Sequence, residues 1–267
     1  MFMLKLIAHN KYKLMAFIIG LYLLVDVLQH KGQTRVLFPK NFPAYNTDAG
    51  MQKSKSTLIN TDKNWKKAVN TKELMNVMNA EASGFECDVY FDTAKNSFDV
   101  HHDEDKSIGL SLNTLLELYL QKKLTASIWL DFKNLDDTNL KNALLCLIQI
   151  RNKYNLQNKL LVESNRADLL TGFSDSGFYT SYYTPMFNPY QINNDKMKFW
   201  ADSITAVIKN SRINALSGYY FQSSFLQHYF PNYPVLIWSS NNRFSLVNRL
   251  AKRKINRNKT IFIALYP

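Results

Sequence analysis

From about Trp65 to the C-terminus, short apolar runs of strand length alternate with longer stretches whose apolar residues recur three and four positions apart. The strand-like runs end near Ala68, Val89, Asp131, Glu163, Ser181, Leu216, Trp238 and Leu265. Helical spacing covers 71–82, 111–121, 136–154, 166–173, 194–210, 223–230 and 243–253. In 136–154, Leu140, Leu144, Leu147, Ile148 and Tyr154 fall on or near one stripe, with Lys141, Asn142 and Gln149 off it, and Asp136 or Asp137 is placed to cap the start. Eight strand runs alternating with seven helical stretches over about 200 residues predict an α/β fold and have the count that a TIM (β/α)8 barrel needs. The chain stops at Pro267, just after the last strand, so the final helix is missing and an N-terminal segment is expected to cover the gap.

A different pattern precedes the barrel. Leu14 to Leu28 is apolar except for Asp26 and follows Lys5, Lys11 and Lys13, so residues 1–32 read as a signal anchor or signal peptide. As a helix, Leu14 to Leu28 spans roughly 22 Å against a hydrocarbon core of roughly 30 Å, so length alone does not decide. The segment after Val27 lacks a small-residue cleavage pattern, which favours an uncleaved anchor, and the preceding lysines place the N-terminus in the cytoplasm and the barrel on the extracytoplasmic side. Were the segment cleaved, the protein would be secreted; in a bacterium the anchored barrel would be periplasmic. Residues 33–62 show no clear periodicity and read as a linker, some of which is expected to pack on the barrel's flank or floor. The barrel is assigned to 63–267.

Composition narrows the classes. With 267 residues, 46% of them hydrophobic, the chain can build one substantial core and a short extension. The net charge of +12 raises nucleic acid as a partner, but the basic residues are scattered and no nucleic-acid motif accompanies the densest run, Arg249 to Lys259. Anionic lipid or a phosphorylated polymer accounts for the charge as well. Cys87 and Cys146 sit beside apolar neighbours and read as buried thiols; a disulfide between them has no support from spacing.

The chemistry concentrates at Gly84 to Asp103, GFECDVYFDTAKNSFDVHHD. Strand alternation sends Glu86 and Asp88 to one face, where paired carboxylates repel unless a cation, proton or donor lies between them. A hard divalent ion, Mg²⁺ or Ca²⁺, would satisfy them; a solvated edge strand is the plainer alternative. A turn at 94–97 leads back to His101, His102 and Asp103. The run SIWLDFKN, 127–134, ends with Asp131 and Lys133 on one face, either a structural ion pair or an acid and a cation facing a ligand. KLLVESN, 159–165, presents Glu163 at another strand end. Aromatic residues crowd the later strand ends; most are expected to fill the core, with Tyr182 and Trp238 the best candidates to face a substrate.

These motifs, in this order, resemble the phospholipase C-like phosphodiesterase superfamily, which includes the glycerophosphodiester phosphodiesterases. GFECDVYFD at 84–92 and WLDFKNL at 129–135 are similar to its menorin-like branch and bacterial members. The resemblance covers roughly residue 64 to the C-terminus. It implies a TIM barrel cleaving phosphodiesters with a divalent metal and two histidines, through attack by a neighbouring hydroxyl of the substrate that forms a cyclic phosphate. Carried over, Glu86, Asp88 and Asp131 match the metal-binding acids, His102 a catalytic histidine with His101 as the alternative register, and Lys133 the lysine after the third-strand acid. Asn70 matches the family's first-strand asparagine, but Lys67 stands where the other histidine belongs. A lysine of ordinary pKa, near 10.4, is a poor proton shuttle at neutral pH.

The leading expectation is therefore a membrane-anchored, metal-dependent phosphodiester hydrolase acting on a small phosphodiester, a lipid headgroup or an envelope polymer. In it, His102, Lys67 and Lys133 are the catalytic candidates, and Asn70, His101, Glu163, Tyr182 and Trp238 line the substrate. The alternative is a catalytically impaired barrel whose acidic pocket binds a metal, a glycan or a partner at the cell envelope.

Overall fold

The computed structural model describes residues 2–45, 47, 54–59 and 62–267, with side chains described from Lys11 onward. The strands are β1 (Asn64–Lys66), β2 (Gly84–Asp92), β3 (Ser97–Val100), β4 (Ser127–Phe132), β5 (Leu160–Ser164), β6 (Tyr179–Tyr183), β7 (Ala215–Tyr219), β8 (Val235–Trp238) and β9 (Ile261–Tyr266). Eight are parallel and neighbour one another in the order β1-β2-β4-β5-β6-β7-β8-β9, and β9 pairs with β1 to close a TIM barrel. Closure leaves the barrel no exposed edge. The ninth strand, β3, runs antiparallel to β2 outside the ring and carries the chain back toward the histidines.

The helices are α1 (Phe2–Gln29), α2 (Lys31–Leu37), α3 (Lys72–Asn76), α4 (Leu112–Gln121), α5 (Leu140–Lys153), α6 (Ala167–Asp175), α7 (Asn194–Lys209), α8 (Ser223–Tyr229) and α9 (Leu246–Arg257). The helix expected over 71–82 is only five residues long, because its C-cap Val77 already turns the chain. In the stretch expected to open at Asp136, the helix begins at Leu140; Asp136 instead ties a preceding turn by accepting the N–H groups of Thr138 and Asn139. Among the described residues, no helix follows β9.

Strand alternation divides the apolar residues into two clusters. Outward-facing side chains such as Phe85, Cys87, Val89, Leu130 and Val162 pack under the helices. Inside the ring, Leu58, Trp65, Trp129, Leu161, Tyr179, Leu236, Ile263 and Leu265 fill the barrel from its floor upward. Gly84 is required by this filling, since a Cβ there would lie 2.2 Å from the Trp65 indole. Gly84→Ala is expected to lower stability by about 1–3 kcal/mol through overpacking, seen as a reduced Tm with an unchanged circular dichroism spectrum. Cys87 and Cys146 are both buried free thiols.

The segment 33–62 has packed parts. Within α2, Gln33 and Val36 are buried against the barrel. Farther on, the Pro43 carbonyl accepts from the Tyr229 hydroxyl, Asn214 donates to Ser56, and Leu58 joins the interior floor. The described parts of this segment thus lie along the barrel wall, from α2 near the rim to Leu58 at the floor. Residues 46, 48–53, 60 and 61, which belong to the expected linker, lie outside the described residues.

Helix α1 includes a stretch, Lys11–Gln29, long and apolar enough to cross a membrane. From residue 11 to residue 25 its side chains are exposed. Asp26, by contrast, is 4% exposed: its Oδ2 accepts the Val247 N–H at 3.0 Å and its Oδ1 lies 3.0 Å from His30 Nδ1. Val247 belongs to the first turn of α9, which Ser245 also caps, so the acid of an otherwise apolar helix is absorbed by another helix's unpaired donors.

Candidate active site

Register brings the acids together. Asp88 of β2 is directly paired with Asp131 of β4, and Asp131 with Glu163 of β5, while Glu86 lies one pleat below Asp88 on the same face. Glu86, Asp88 and Asp131 each offer an oxygen, all within 4.8 Å of one another. They line a cleft of about 120 Å³ with Lys67, His102, Lys133, Tyr183, Tyr219 and Trp238. The cleft stands at the C-terminal ends of the strands, above the packed interior, where a TIM barrel collects side chains from several strands.

The backbone around β1 aims at this cleft. After Lys66 the chain turns at Ala68, whose φ of +56° lies in the left-handed region that a residue with a Cβ seldom occupies. That bend directs the Ala68 N–H to Glu86 Oε2 at 2.6 Å, and Lys67 faces the cleft. Asn70 fixes Asp88 from two sides, accepting its backbone N–H at 2.9 Å and donating to its carboxylate. Across the site, the Lys133 N–H pairs with Val89, and Asn134 clamps both backbone groups of Phe91, which together set where Lys133 leaves the sheet.

Lys133 Nζ lies 2.7 Å from Asp88 Oδ1 and 2.5 Å from Asp131 Oδ2. Burial alone would lower this ammonium; the carboxylates of Asp131 and Asp88 more than reverse that and hold it well above its ordinary value. One cation does not balance three acids. Burial, then the charges of Asp88 and Asp131, push Glu86 up to about 8. Burial raises Asp131 as well, with Lys133 opposing.

For Glu86 the sign of the pH dependence follows. In the folded chain it keeps a proton that the unfolded chain gives up above its ordinary value of 4.5, so stability falls as pH rises from about 4.5 toward about 8. A divalent ion must displace that proton at low pH and need not at high pH. Thermal denaturation with and without Mg²⁺ or Ca²⁺ is therefore expected to show a larger ion-induced rise in Tm at pH 8 than at pH 6.

His102 reaches the cleft from the loop after β3, with its ring 70% exposed and Nδ1 2.8 Å from Asp103 Oδ1. Asp103 is held down to about 2 by hydrogen bonds from Lys106 and from His102, so it remains an anion against the ring. This fixes the ring's orientation and leaves Nε2 for proton exchange. His101 points elsewhere: it stacks on Tyr90 with ring centroids 4.3 Å apart, and Nδ1 lies 2.8 Å from the Asp103 carbonyl.

The remaining candidates divide. Trp238 lines the cleft. Tyr182 does not; it belongs to the outer cluster under the helices, because β6 alternation turns Tyr179, Ser181 and Tyr183 inward and Tyr182 outward. Tyr183 and Tyr219 hold the wall positions instead, with the Tyr183 hydroxyl pushed up to about 12 by burial. Their signal was the inward face already marked by Glu163, which pairs with Ser181 two residues before Tyr183. Glu163 itself is fully buried below the cleft, with no hydrogen-bond partner for either oxygen among the described residues. Ser217 lies beside it but donates to the Tyr182 carbonyl, and burial raises the Glu163 carboxyl well above its ordinary range.

This donor set fits a hard divalent cation: three buried carboxylates converge, and Lys133 bonds to only two of them. Solved structures give an independent comparison of the fold. A protein from Silicibacter pomeroyi assigned as a glycerophosphoryl diester phosphodiesterase superposes with a TM-score of 0.52 at 12% identity, over 84% of this chain and 94% of its own. One from Galdieria sulphuraria, assigned as a glycerophosphodiester phosphodiesterase, superposes with a TM-score of 0.51 at 12% identity, over 80% and 95%. The chain shares its TIM-barrel fold with these two proteins. No protein-family model matches the sequence, and no curated protein sequence matches it.

Proposed function

We propose that this chain is a metal-dependent phosphodiester hydrolase of the glycerophosphodiester phosphodiesterase type, held at a membrane by α1. The observation that carries the reading is the cleft itself, where Glu86, Asp88 and Asp131 converge beside an imidazole oriented by Asp103. Glu86, Asp88 and Asp131 would hold Mg²⁺ or Ca²⁺, and the bound ion would supply Lewis-acid polarisation of the phosphoryl group. Lys133 offsets charge that builds on the phosphoryl oxygens. His102 exchanges a proton through Nε2 with the attacking or departing oxygen, and Asp103 steadies the imidazolium that results. Asn70 keeps Asp88 in place, while Tyr183, Tyr219 and Trp238 wall the cleft against water.

The substrate class that suits this cleft is a small phosphodiester such as a glycerophosphodiester, with lipid headgroups and envelope polymers as larger members of the same chemistry. The exposed apolar helix and the lysines before it support a signal anchor with the barrel on the extracytoplasmic side.

Lys67 favours a second reading, an impaired barrel that binds a metal, a glycan or a partner without turnover. It lines the cleft where the family's other histidine is expected. Lys67→His separates the two. On a soluble glycerophosphodiester with Mg²⁺ or Ca²⁺, the enzyme reading expects turnover by the native chain and a gain of about ten-fold in kcat for the variant. Turnover confined to the variant would support the impaired barrel. Absence of turnover in both would remove the phosphodiesterase reading.

A further inference from the structure

We infer that the rim of the cleft docks onto a phospholipid bilayer, so that the phosphodiester reaching Glu86, Asp88 and Asp131 is that of a lipid headgroup presented at the membrane surface. This rests on the phosphodiesterase reading for its chemistry, but the docking itself rests on geometry alone.

Helix α1 is joined to the mouth end of the barrel, with no polar spacer between. Asp26 is bound into the first turn of α9, the Tyr22 hydroxyl donates to the Phe244 carbonyl, and Gln33 donates to Ser240. All three barrel partners lie just beyond β8, whose last residue, Trp238, lines the cleft. The apolar surface of the helix continues up to this junction: Leu24, Val27 and Leu28 are 57%, 43% and 64% exposed. Covering them with lipid requires the bilayer to reach the level of the Asp26–Val247 bond, which is the level of the rim.

Length makes the same demand. From Leu14 to Leu28 the apolar stretch rises only about 22 Å, short of a hydrocarbon core of about 30 Å, so the bilayer takes up the whole of it as far as the barrel junction. An anchor this short cannot hold the barrel away from the surface.

The rim is suited to that surface on the anchor side. The β6–α7 loop, 184–193, contains no charged residue and exposes Met186; the β8–α9 loop, 239–245, contains one, Arg243, whose guanidinium lies over the exposed Phe244 ring. A basic and apolar pair of this kind suits an anionic lipid interface. The opposite side of the mouth carries Asp103, Glu104, Asp105, Asp136 and Asp137. The barrel therefore tilts, with the β6–β8 side on lipid and the acidic side in water, leaving the cleft at the boundary between them.

The test uses the full chain in phosphatidylcholine vesicles with a minority of phosphatidylglycerol and nitroxide-labelled lipid. Because Cys87 and Cys146 are buried, single introduced thiols can carry a fluorophore: Met186→Cys and Phe244→Cys on the rim, and Lys259→Cys on the exposed turn before β9 at the floor. The proposal expects quenching about five-fold stronger at both rim probes than at the floor probe. Vesicle-bound protein with unquenched rim probes, or protein that does not float with the vesicles, overturns it. Quenching needs no turnover, so it decides docking even if hydrolysis fails. A second arm compares a Met186→Asp, Phe244→Asp double variant with the native chain. Docking expects about a ten-fold loss on phosphatidylglycerol in vesicles and an unchanged rate on a soluble glycerophosphodiester. Equal rates on both substrates would mean that lipid headgroups do not enter through a docked rim.

Discussion

Glu86→Gln is expected to abolish phosphodiester turnover, by about 10³-fold or more, while leaving the thermal stability of the ion-free protein unchanged or raised at pH 7. Both halves come from the same cause. Burial and two neighbouring acids push Glu86 up to about 8, so at pH 7 the ion-free protein already holds it mostly protonated, and a neutral amide of the same shape removes little from the fold. The bond from Ala68 N–H can pass to the amide oxygen. What the variant cannot do is supply the third anionic oxygen to a divalent ion. The rise in Tm with Mg²⁺ or Ca²⁺ should shrink accordingly, and the loss should appear in kcat with little change in secondary structure. A variant that lost stability but kept turnover would place Glu86 in the scaffold and outside the chemistry.

His102→Ala is expected to lower kcat by about 10² to 10⁴-fold, the range for removing a positioned proton-transfer group. Its ring is mostly exposed and makes its hydrogen bond to an exposed aspartate, so the fold depends little on it. The pH profile should change with the rate: any limb set by an imidazole disappears in the variant and persists in His101→Ala. The second control works because His101 is committed to Tyr90 and the loop backbone, away from the cleft. If His101→Ala proved the more damaging for kcat while the protein stayed folded, the assignment of the proton-transfer group would move by one residue.

Much of this arrangement is legible in the sequence because strands repeat every two residues. Glu86 and Asp88 must share a face, and so must Asp131 and Lys133; the eight strand ends read from apolar runs correspond to the eight barrel strands. The acids are therefore recognisable before the register that joins Asp88 to Asp131 is known. What is not legible depends on tertiary partners. Tyr182 and Tyr183 are both aromatic at one strand end, and only the inward phase set by Tyr179 and Ser181 separates them. His101 and His102 differ by where β3 stops, at Val100, and by the Tyr90 ring that captures the first of them. Helix α2 has no useful periodicity in seven residues, yet it forms against α9 and the turn after β7. Asp26 looks like a blemish in an apolar helix until the unpaired N–H of Val247 is seen opposite it.

Lys67 is the departure with the greatest bearing on function, since the sequence alone leaves open whether it faces the acids. It does line the cleft, while the cation bonded to Asp88 and Asp131 is Lys133. Burial first, and then the charges of Asp88 and Asp131, keep the proton on Glu86 in the ion-free cleft.

The central claim is that the acidic cleft and His102 together cleave a phosphodiester with a divalent ion. Phosphorus NMR of glycerophosphocholine incubated with the native chain tests it most directly. The account predicts that the phosphodiester resonance gives way to phosphomonoester when Mg²⁺ or Ca²⁺ is in excess, and persists when a chelator removes the ion. Conversion that continues unchanged in chelator, or a phosphodiester that survives both ions, would contradict it.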